Sequence, residues 1–149
     1  MPEIGILLHR RIRHHGERGD ELIGRGALSD AVTEYRTALQ LIPEPRHDWA
    51  ASTWVLGSLG DVLFQLGRYE EARDALSEAM SCPGGVGNPF LHLRLGQSWY
   101  ELGRRGPAAA ELGRAWMGAG PGIFDDEPPR YLELVQRVLR PAERGSPGR

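Results

Sequence analysis

The stretch that decides the fold is Leu56–Met80, LGSLGDVLFQLGRYEEARDALSEAM. Apolar and small residues recur at steps of three and four on both sides of Gly67, which is the spacing of one face of an α-helix. The sequence therefore predicts two helices joined by a turn at Gly67. Small residues at Gly60 and Ala72 allow the helices to approach closely. One such hairpin cannot bury its apolar faces alone, so similar units are expected beside it.

Two further segments of the chain repeat this pattern. At an offset of 36 residues, Gly96 takes the place of Gly60 and Ala108 takes the place of Ala72. A weaker copy precedes the hairpin at an offset of 41 residues, with Ala31 in the place of Ala72. Three copies in register predict an all-α fold built by stacking helix hairpins.

The repeat resembles the tetratricopeptide repeat (TPR), in which the pattern W-x2-L-G-x2-Y, A-x3-F and P recurs about every 34 residues. The resemblance covers the chain from about Arg13 to Trp116. It implies a TPR-type α-solenoid of about three helix-turn-helix repeats with a C-terminal capping helix. The first helix of each hairpin would then line a concave groove.

The predicted organisation is a single TPR domain over residues 1–140. An amphipathic segment near the C-terminus has one apolar face with which to cover the last hairpin, and the Pro/Gly/Arg-rich end is expected to be disordered. The predicted segments are repeats at about 12–45, 53–83 and 89–118, a capping helix at 129–140 and a disordered tail at 141–149.

Three connecting segments, 43–54, 82–90 and 126–131, are similar to those of short stand-alone bacterial TPR proteins. That resemblance implies binding and no particular reaction. Some small proteins of this kind serve as immunity partners of secreted toxins. Toxin neutralisation is therefore one expected form of the binding function.

Composition excludes several classes of protein. The chain has 149 residues, 40% of them apolar, and no apolar run long enough to span a membrane. Its net charge of −2 argues against a general nucleic-acid binder. Cys82 is its single cysteine, so no internal disulfide is expected. Apolar Ile4–Leu8 precedes Arg10, the reverse of the order in a secretory signal, which predicts a cytoplasmic protein.

Residues with capping chemistry precede several of the predicted helices. Ser29 and Asp30 are candidates to cap the second helix, and Asp48 is a candidate to cap the helix predicted over 49–66. Asn88 followed by Pro89 predicts a capped start for the next helix.

The segment His9–His15 is basic and permits three interpretations. It is a contact for phosphate or an anionic partner, a metal site built from its histidines, or a solvated helix face. Adjacent His14 and His15 would point about 100° apart on a helix and make a poor ligand pair. The solvated face is the simplest interpretation.

No catalytic or metal-binding constellation is present in the sequence, so neither an enzymatic activity nor a cofactor is predicted. The glycine-rich loop Cys82–Phe90 is interpreted as an inter-repeat turn. The alternative is that this loop, with His92 and Arg94, forms the site of a small-molecule or anion sensor or an enzyme accessory.

The groove is the predicted binding site, for a peptide or protein partner. Trp54 either packs on the preceding hairpin or faces this groove as an aromatic anchor. The groove lacks a row of basic residues, so chaperone binding is not predicted. Its predicted partner-binding residues are Trp54, Ser58, Asp61, Phe64, Gln65, Phe90, Arg94, Gln97, Tyr100, Glu101, Arg130, Glu133 and Arg137.

Overall fold

A computed structural model describes residues 4–139 of the chain. Over that range every element of secondary structure is a helix, so the all-α prediction of helix-turn-helix repeats followed by a C-terminal helix is confirmed. None of these helices is both long enough and apolar enough to cross a membrane. The helices are α1 (Ile6–Gly24), α2 (Leu28–Leu41), α3 (Ala50–Gln65), α4 (Tyr69–Met80), α5 (Pro89–Glu101), α6 (Arg105–Ala119) and α7 (Pro129–Leu139), with short 3-10 turns at Arg46–Asp48 and Pro121–Phe124.

The chain divides into two compact units between Val86 and Gly87. Unit 1 contains the hairpins α1–α2 and α3–α4, and α2 also packs against α3. Unit 2 contains the hairpin α5–α6, and α7 packs against α6. The tail predicted to be disordered, 141–149, lies outside the described residues, as does residue 140 at the end of the predicted capping helix.

Close approach of the two helices in each hairpin is confirmed at one repeated position. A Cβ atom built on the glycine of the first helix would lie under 3.0 Å from a large side chain of the second helix. The spacing between the two residues is the same in all three repeats, so one steric rule sets the geometry of each hairpin. The pairs are Gly19 with Tyr35, Gly60 with Leu76, and Gly96 with Leu112.

A histidine–glutamate pair joins the two helices of the first and third hairpins. His15 Nδ1 lies 2.7 Å from a carboxylate oxygen of Glu34, and His92 Nδ1 lies 2.6 Å from one of Glu111. Both pairs span 19 residues and hold the same place relative to the hairpin glycine. The corresponding residues of the middle repeat are the apolar pair Leu56 and Ala75, both buried.

The start of α5 is capped as predicted. The Asn88 side chain accepts hydrogen bonds from the backbone N–H groups of Phe90 and Leu91, and Pro89 is the first helical residue. Proline fits there because the first N–H groups of a helix have no internal acceptor.

The other two predicted caps are wrong. Helix α2 begins at Leu28, directly after a tight turn at Gly26, so Ser29 and Asp30 lie inside its first turn. Asp48 belongs to a 3-10 turn, and Trp49 occupies the N-cap position of α3 without a side-chain hydrogen bond. In both places the preceding turn moves the boundary of the helix by a residue or two, which residue type alone does not reveal.

Candidate functional site

A cleft lies between α1 and α3 in unit 1. We call it the α1–α3 cleft, and its volume is about 290 Å³. It lies next to a second cavity of about 530 Å³, and the two share His9, Arg13 and Glu17. The residues that line the cleft are His9, Arg13, Gly16, Glu17, Asp20 and Trp54.

Trp54 forms the α3 side of this cleft. Its ring lies against Gly16, where a Cβ atom would approach the ring to 2.7 Å. The residue is nevertheless 39% exposed. Both sequence interpretations therefore hold in part, because one portion of the ring packs on α1 and the rest faces the cleft. The absence of a side chain at Gly16 allows this arrangement.

Beside Trp54, a hydrogen-bonded group connects α1, α2 and α3. The hydroxyl of buried Tyr35 donates to Asp20 at 2.5 Å, and Ser58 lies beside the same hydroxyl. Burial and then the bond to Asp20 raise the pKa of Tyr35, so its hydroxyl stays protonated. The Asp20 carboxylate that accepts this bond lies at one end of the cleft.

Of the remaining residues predicted on α3, Phe64 packs on Tyr69 with ring centroids 5.5 Å apart, at the turn into α4. Gln65 is exposed and donates a hydrogen bond to Asp61 at 3.2 Å. Phe64 therefore packs in part against the second helix of its own hairpin, whereas Asp61 and Gln65 lie at the surface of α3.

In unit 2 the predicted site residues pair with one another. Arg94 Nη1 donates to Glu127 at 2.9 Å and to the Gln97 side chain at 2.7 Å. Gln97 also donates to Glu127 at 2.5 Å and is completely buried. Arg94 and Gln97, which were predicted to contact a partner, therefore both bind the carboxylate that precedes α7.

A second set of contacts holds α7 against α5. Glu101 accepts hydrogen bonds from the Tyr131 hydroxyl at 2.7 Å and from Arg130 Nε at 3.1 Å. The Tyr100 ring meets the Tyr131 ring edge-on at 5.2 Å, and the Arg105 guanidinium covers Tyr100 at 4.6 Å. We call this surface, with Arg94, Gln97 and Glu127, the α5–α7 face.

Four predicted residues of unit 2 are exposed, and one of them, Arg130, takes part in the contact with Glu101. Phe90 is 41% exposed and carries the Arg94 guanidinium 5.0 Å from its ring centroid. Glu133 and Arg137 are exposed on α7. A partner of unit 2 would therefore contact Phe90 and the outer surface of α7, rather than the paired groups beneath.

The glycine-rich loop has the contacts of a structural turn. The N–H of Gly87 donates to His92 Nε2 at 3.0 Å, so the ring proton of neutral His92 lies on Nδ1, which faces Glu111. In unit 1, the Thr53 hydroxyl donates to the Pro83 carbonyl at 2.6 Å. These bonds favour the inter-repeat turn over the sensor interpretation, because His92 is buried and both of its ring nitrogens are used.

Within the basic segment, His15 is bound to the carboxylate of Glu34, which also accepts a hydrogen bond from Arg18 at 3.1 Å. The bond from His15 is the main reason that the pKa of Glu34 lies below its usual value. No group of three or more metal-ligating side chains comes together in the described part of the chain.

Sequence reasoning missed the contribution of α1 to the cleft. The sequence contained a signal for it, because the first two repeats are offset by 41 residues. Subtracting 41 from the numbers of the predicted groove residues of α3 gives residues of α1. The corresponding pairs are Trp54 and Arg13, Ser58 and Glu17, and Asp61 and Asp20.

Comparison with known proteins identifies the fold. No protein-family model matches the sequence, and no curated protein sequence is similar to it. Among solved structures, the TPR domain of Arabidopsis OM64 is similar over 91% of this chain and 98% of its own, with a TM-score of 0.68 and 17% identity.

Two further solved structures contain bound peptides. The second TPR domain of human RPAP3, solved with an HSP70 peptide, is 13% identical, with a TM-score of 0.67 over 89% of this chain and 98% of its own. The Yersinia enterocolitica secretion chaperone SycD, solved with a peptide of the translocator YopD, is 15% identical, with a TM-score of 0.66 over 86% of this chain and 92% of its own.

Proposed function

Because the chain has the TPR fold, we propose that it is a non-enzymatic protein-interaction module. Its partner presents a peptide segment that lies in the α1–α3 cleft of unit 1. Peptide complexes of RPAP3 and SycD, which share this fold, support binding of that kind. Support also comes from the cleft lining, which combines charged side chains and a histidine with an aromatic ring.

The observation that carries the proposal is the exposed Trp54 ring seated on Gly16. Tryptophan and arginine are enriched among the residues that contribute most to interface energy, and removal of a central one typically costs ~2 kcal/mol or more. Trp54 and Arg13 line the same cleft. A partner side chain inserted there would contact an apolar surface that is already held in place by α1.

Two glycine variants on α1 separate binding from folding. In Gly16→Ala, the new methyl group displaces the Trp54 ring, because the two would lie 2.7 Å apart. Gly24→Ala is the matched control, since a Cβ there meets nothing within 4 Å. Both changes favour the helix, by up to ~1 kcal/mol at an interior position, so neither should unfold the protein.

The experiment selects peptides from a displayed random library against the wild-type chain and measures their affinities by fluorescence anisotropy. We expect Trp54→Ala and Gly16→Ala to weaken binding at least ~10-fold, which is ~1.4 kcal/mol, and Gly24→Ala to leave it unchanged. A library that yields no binder, or binders that ignore Trp54→Ala, would contradict the proposal.

Toxin neutralisation is a specific form of this function, suggested by the similarity to short bacterial TPR proteins. It predicts that an equimolar amount of the chain inhibits a toxin encoded beside its gene, and that Trp54→Ala relieves the inhibition. A neighbouring toxin that stays fully active with the wild-type chain would exclude this form, while peptide binding by the cleft would stand.

A further inference from the structure

We propose that the N-terminal end of α1 docks on the surface of an anionic lipid bilayer. The helix does not cross the bilayer. The side chains of Ile6 and Leu7 enter the boundary between headgroups and acyl chains, while Arg10, Arg11 and Arg13 lie among the lipid phosphates. We call these five residues the α1 end. The inference goes beyond the proposed function, because of these five only Arg13 lines the α1–α3 cleft.

The outward face of α1 carries two stripes of side chains with the same order of chemistry. Ile6 begins one stripe and Leu7 begins the other, and steps of four, three and four residues continue each along one side of the helix. The opposite side of α1 contains the buried residues Ile12, Gly16 and Gly19. Apolar side chains therefore lie at the end of the helix, and basic ones follow directly behind them. The two stripes are Ile6, Arg10, Arg13 and Glu17, and Leu7, Arg11, His14 and Arg18.

The apolar part of the α1 end is almost fully in contact with water. Ile6 is 72% exposed and Leu7 is 75% exposed. Ile4 lines the cavity of about 530 Å³ together with Ile6. Single exposed apolar residues are ordinary, but neighbouring ones beside a charged surface mark an interaction site. Burial of one such side chain strengthens docking by roughly tenfold.

The charge of the α1 end is of one sign. Residues 4–16 contain three arginines and no aspartate or glutamate, although the whole chain has a net charge of −2. Arg10 and Arg11 are exposed. Arg13 lies 3.8 Å from Glu17, with side chains 61% and 66% exposed. An exposed pair of this kind is worth little, so the Arg13 guanidinium is able to exchange it for a lipid phosphate. A basic segment with an apolar end is typical of helices that bind a membrane surface.

The carboxylates farther along α1 determine how the helix would approach the bilayer. Along the helix axis, Arg10 lies roughly 6 Å from Ile6, and Glu17 lies roughly 16 Å from Ile6. Apolar side chains of surface-bound helices enter the headgroup boundary by roughly 5–10 Å. A tilted helix with its N-terminal end inserted therefore brings the arginines to the phosphates and keeps Glu17 and Glu21 in water. Exposed charges more than about 8 Å apart are largely screened, so these carboxylates oppose docking weakly.

A bilayer fits the α1 end better than a second copy of the chain or a nucleic acid. A second copy on the same face would bring arginines against arginines. Nucleic acid supplies phosphates but no apolar surface to cover Ile6 and Leu7. A lipid bilayer supplies phosphates and acyl chains within a few ångströms of each other, which is the spacing between Ile6 and Arg10.

The test measures co-sedimentation of the full chain with phosphatidylcholine vesicles that contain or lack phosphatidylglycerol. We expect binding that requires phosphatidylglycerol. A variant carrying Ile6→Ser and Leu7→Ser should bind at least ~10-fold more weakly. Its matched control carries Met117→Ser and Val138→Ser in unit 2, at side chains that are 79% and 49% exposed, and should bind like the wild type.

A second pair of variants tests the charge. Arg10→Gln with Arg11→Gln should weaken binding at least ~10-fold, since one arginine near an anionic surface is worth about fivefold in affinity. The control, Arg25→Gln with Arg137→Gln, makes the same change of net charge at exposed residues outside the α1 end and should bind like the wild type. The four replaced arginines are exposed, so circular dichroism should show an unchanged fold.

Each other outcome overturns the inference. A wild-type chain that stays in the supernatant, or equal losses in the variants and their controls, would mean that the α1 end binds no bilayer. Full binding after Ile6→Ser and Leu7→Ser would show adsorption by charge without insertion. Displacement from the vesicles by single-stranded RNA or by polyglutamate would assign the arginines to a nucleic acid or to an acidic protein. Loss of vesicle binding in Trp54→Ala would assign the lipid contact to the α1–α3 cleft.

Discussion

The α1–α3 cleft of unit 1 and the α5–α7 face of unit 2 are built from corresponding helices but differ in how their charges are paired. Arg13 on α1 has an exposed partner at 3.8 Å, whereas Arg94 on α5 is 14% exposed and bound to Glu127 at 2.9 Å. The Trp54 ring packs in part against Gly16 and is otherwise exposed, whereas the Tyr100 ring contacts the Tyr131 ring edge-on. The α5–α7 face therefore holds the terminal helix, whereas the α1–α3 cleft has the exposed groups that the proposed partner would contact.

The largest expected effect is the loss of stability when Arg94 of the α5–α7 face is replaced. Arg94→Ala leaves the carboxylate of Glu127, which is 16% exposed, without its cation. Breaking such a pair typically costs about 3 kcal/mol. We expect the thermal midpoint to fall by roughly 10 °C, measured by circular dichroism.

Arg13→Ala is the matched control in unit 1. Its pair with Glu17 is largely exposed, so the midpoint should stay within about 2 °C of wild type. An equal fall of the thermal midpoint in the two variants would mean that the pair of Arg13 and Glu17 stabilises the fold as much as the pair of Arg94 and Glu127 does.

The second prediction compares two glycines at which an added Cβ atom would lie equally close, 2.7 Å, to a neighbouring side chain. A Cβ on Gly96 lies 2.7 Å from Leu112 Cγ and 2.9 Å from the Leu112 backbone nitrogen. Because Leu112 is completely buried, Gly96→Ala forces the helices of unit 2 apart and should cost about 2 kcal/mol in urea unfolding.

Gly16→Ala meets only the ring of an exposed side chain, also at 2.7 Å. The ring is able to move outward, so the unfolding free energy should stay within about 1 kcal/mol of wild type. A loss comparable to that of Gly96→Ala would show that Trp54 is locked into the core of unit 1.

The smallest expected effect is the pH dependence of the contact between His15 and Glu34, which joins α1 to α2. The pKa of Glu34 is lowered from 4.5 in the folded protein, so its contribution is present above that pH and is lost as the pH falls through the folded value. We expect Glu34→Gln to reduce the unfolding free energy by under about 1 kcal/mol at pH 7 and by progressively less as the pH falls below 4.5. A difference that does not shrink as the pH falls would mean that packing, and not charge, explains the loss.

Much of the fold was predictable because the repeat imposes the same steric requirement three times. The periodicity around Gly60 and Gly96 predicts helices that approach closely, and the start of α5 at Asn88 and Pro89 follows from local chemistry. The first residues of α2 and α3 were harder to predict from the sequence, since tight turns before them decide where the helices begin.

The position of a candidate site residue was predictable where it depends on the repeat pattern alone. Trp54 was predicted because the repeat does not require an aromatic side chain there, and its ring lines the α1–α3 cleft. The contacts of Arg94 and Gln97 with Glu127 could not be predicted, because Glu127 lies 33 and 30 residues further along the chain, outside any repeat. Arg13 was interpreted as part of a solvated helix face, and its side chain is 61% exposed; that it lines the same cleft as Trp54 depends on a second hairpin.

The most direct test of the central claim uses the indole N–H signals of the four tryptophans in a ¹⁵N-labelled protein, followed while a selected peptide is added. Trp49, whose indole N–H donates to the Pro43 carbonyl at 2.8 Å, serves as the reference within unit 1. The account predicts that the Trp54 signal shifts while those of Trp49, Trp99 and Trp116 stay within their line widths. A shift of Trp99 or Trp116 with Trp54 unchanged would place the partner on unit 2 and contradict the account.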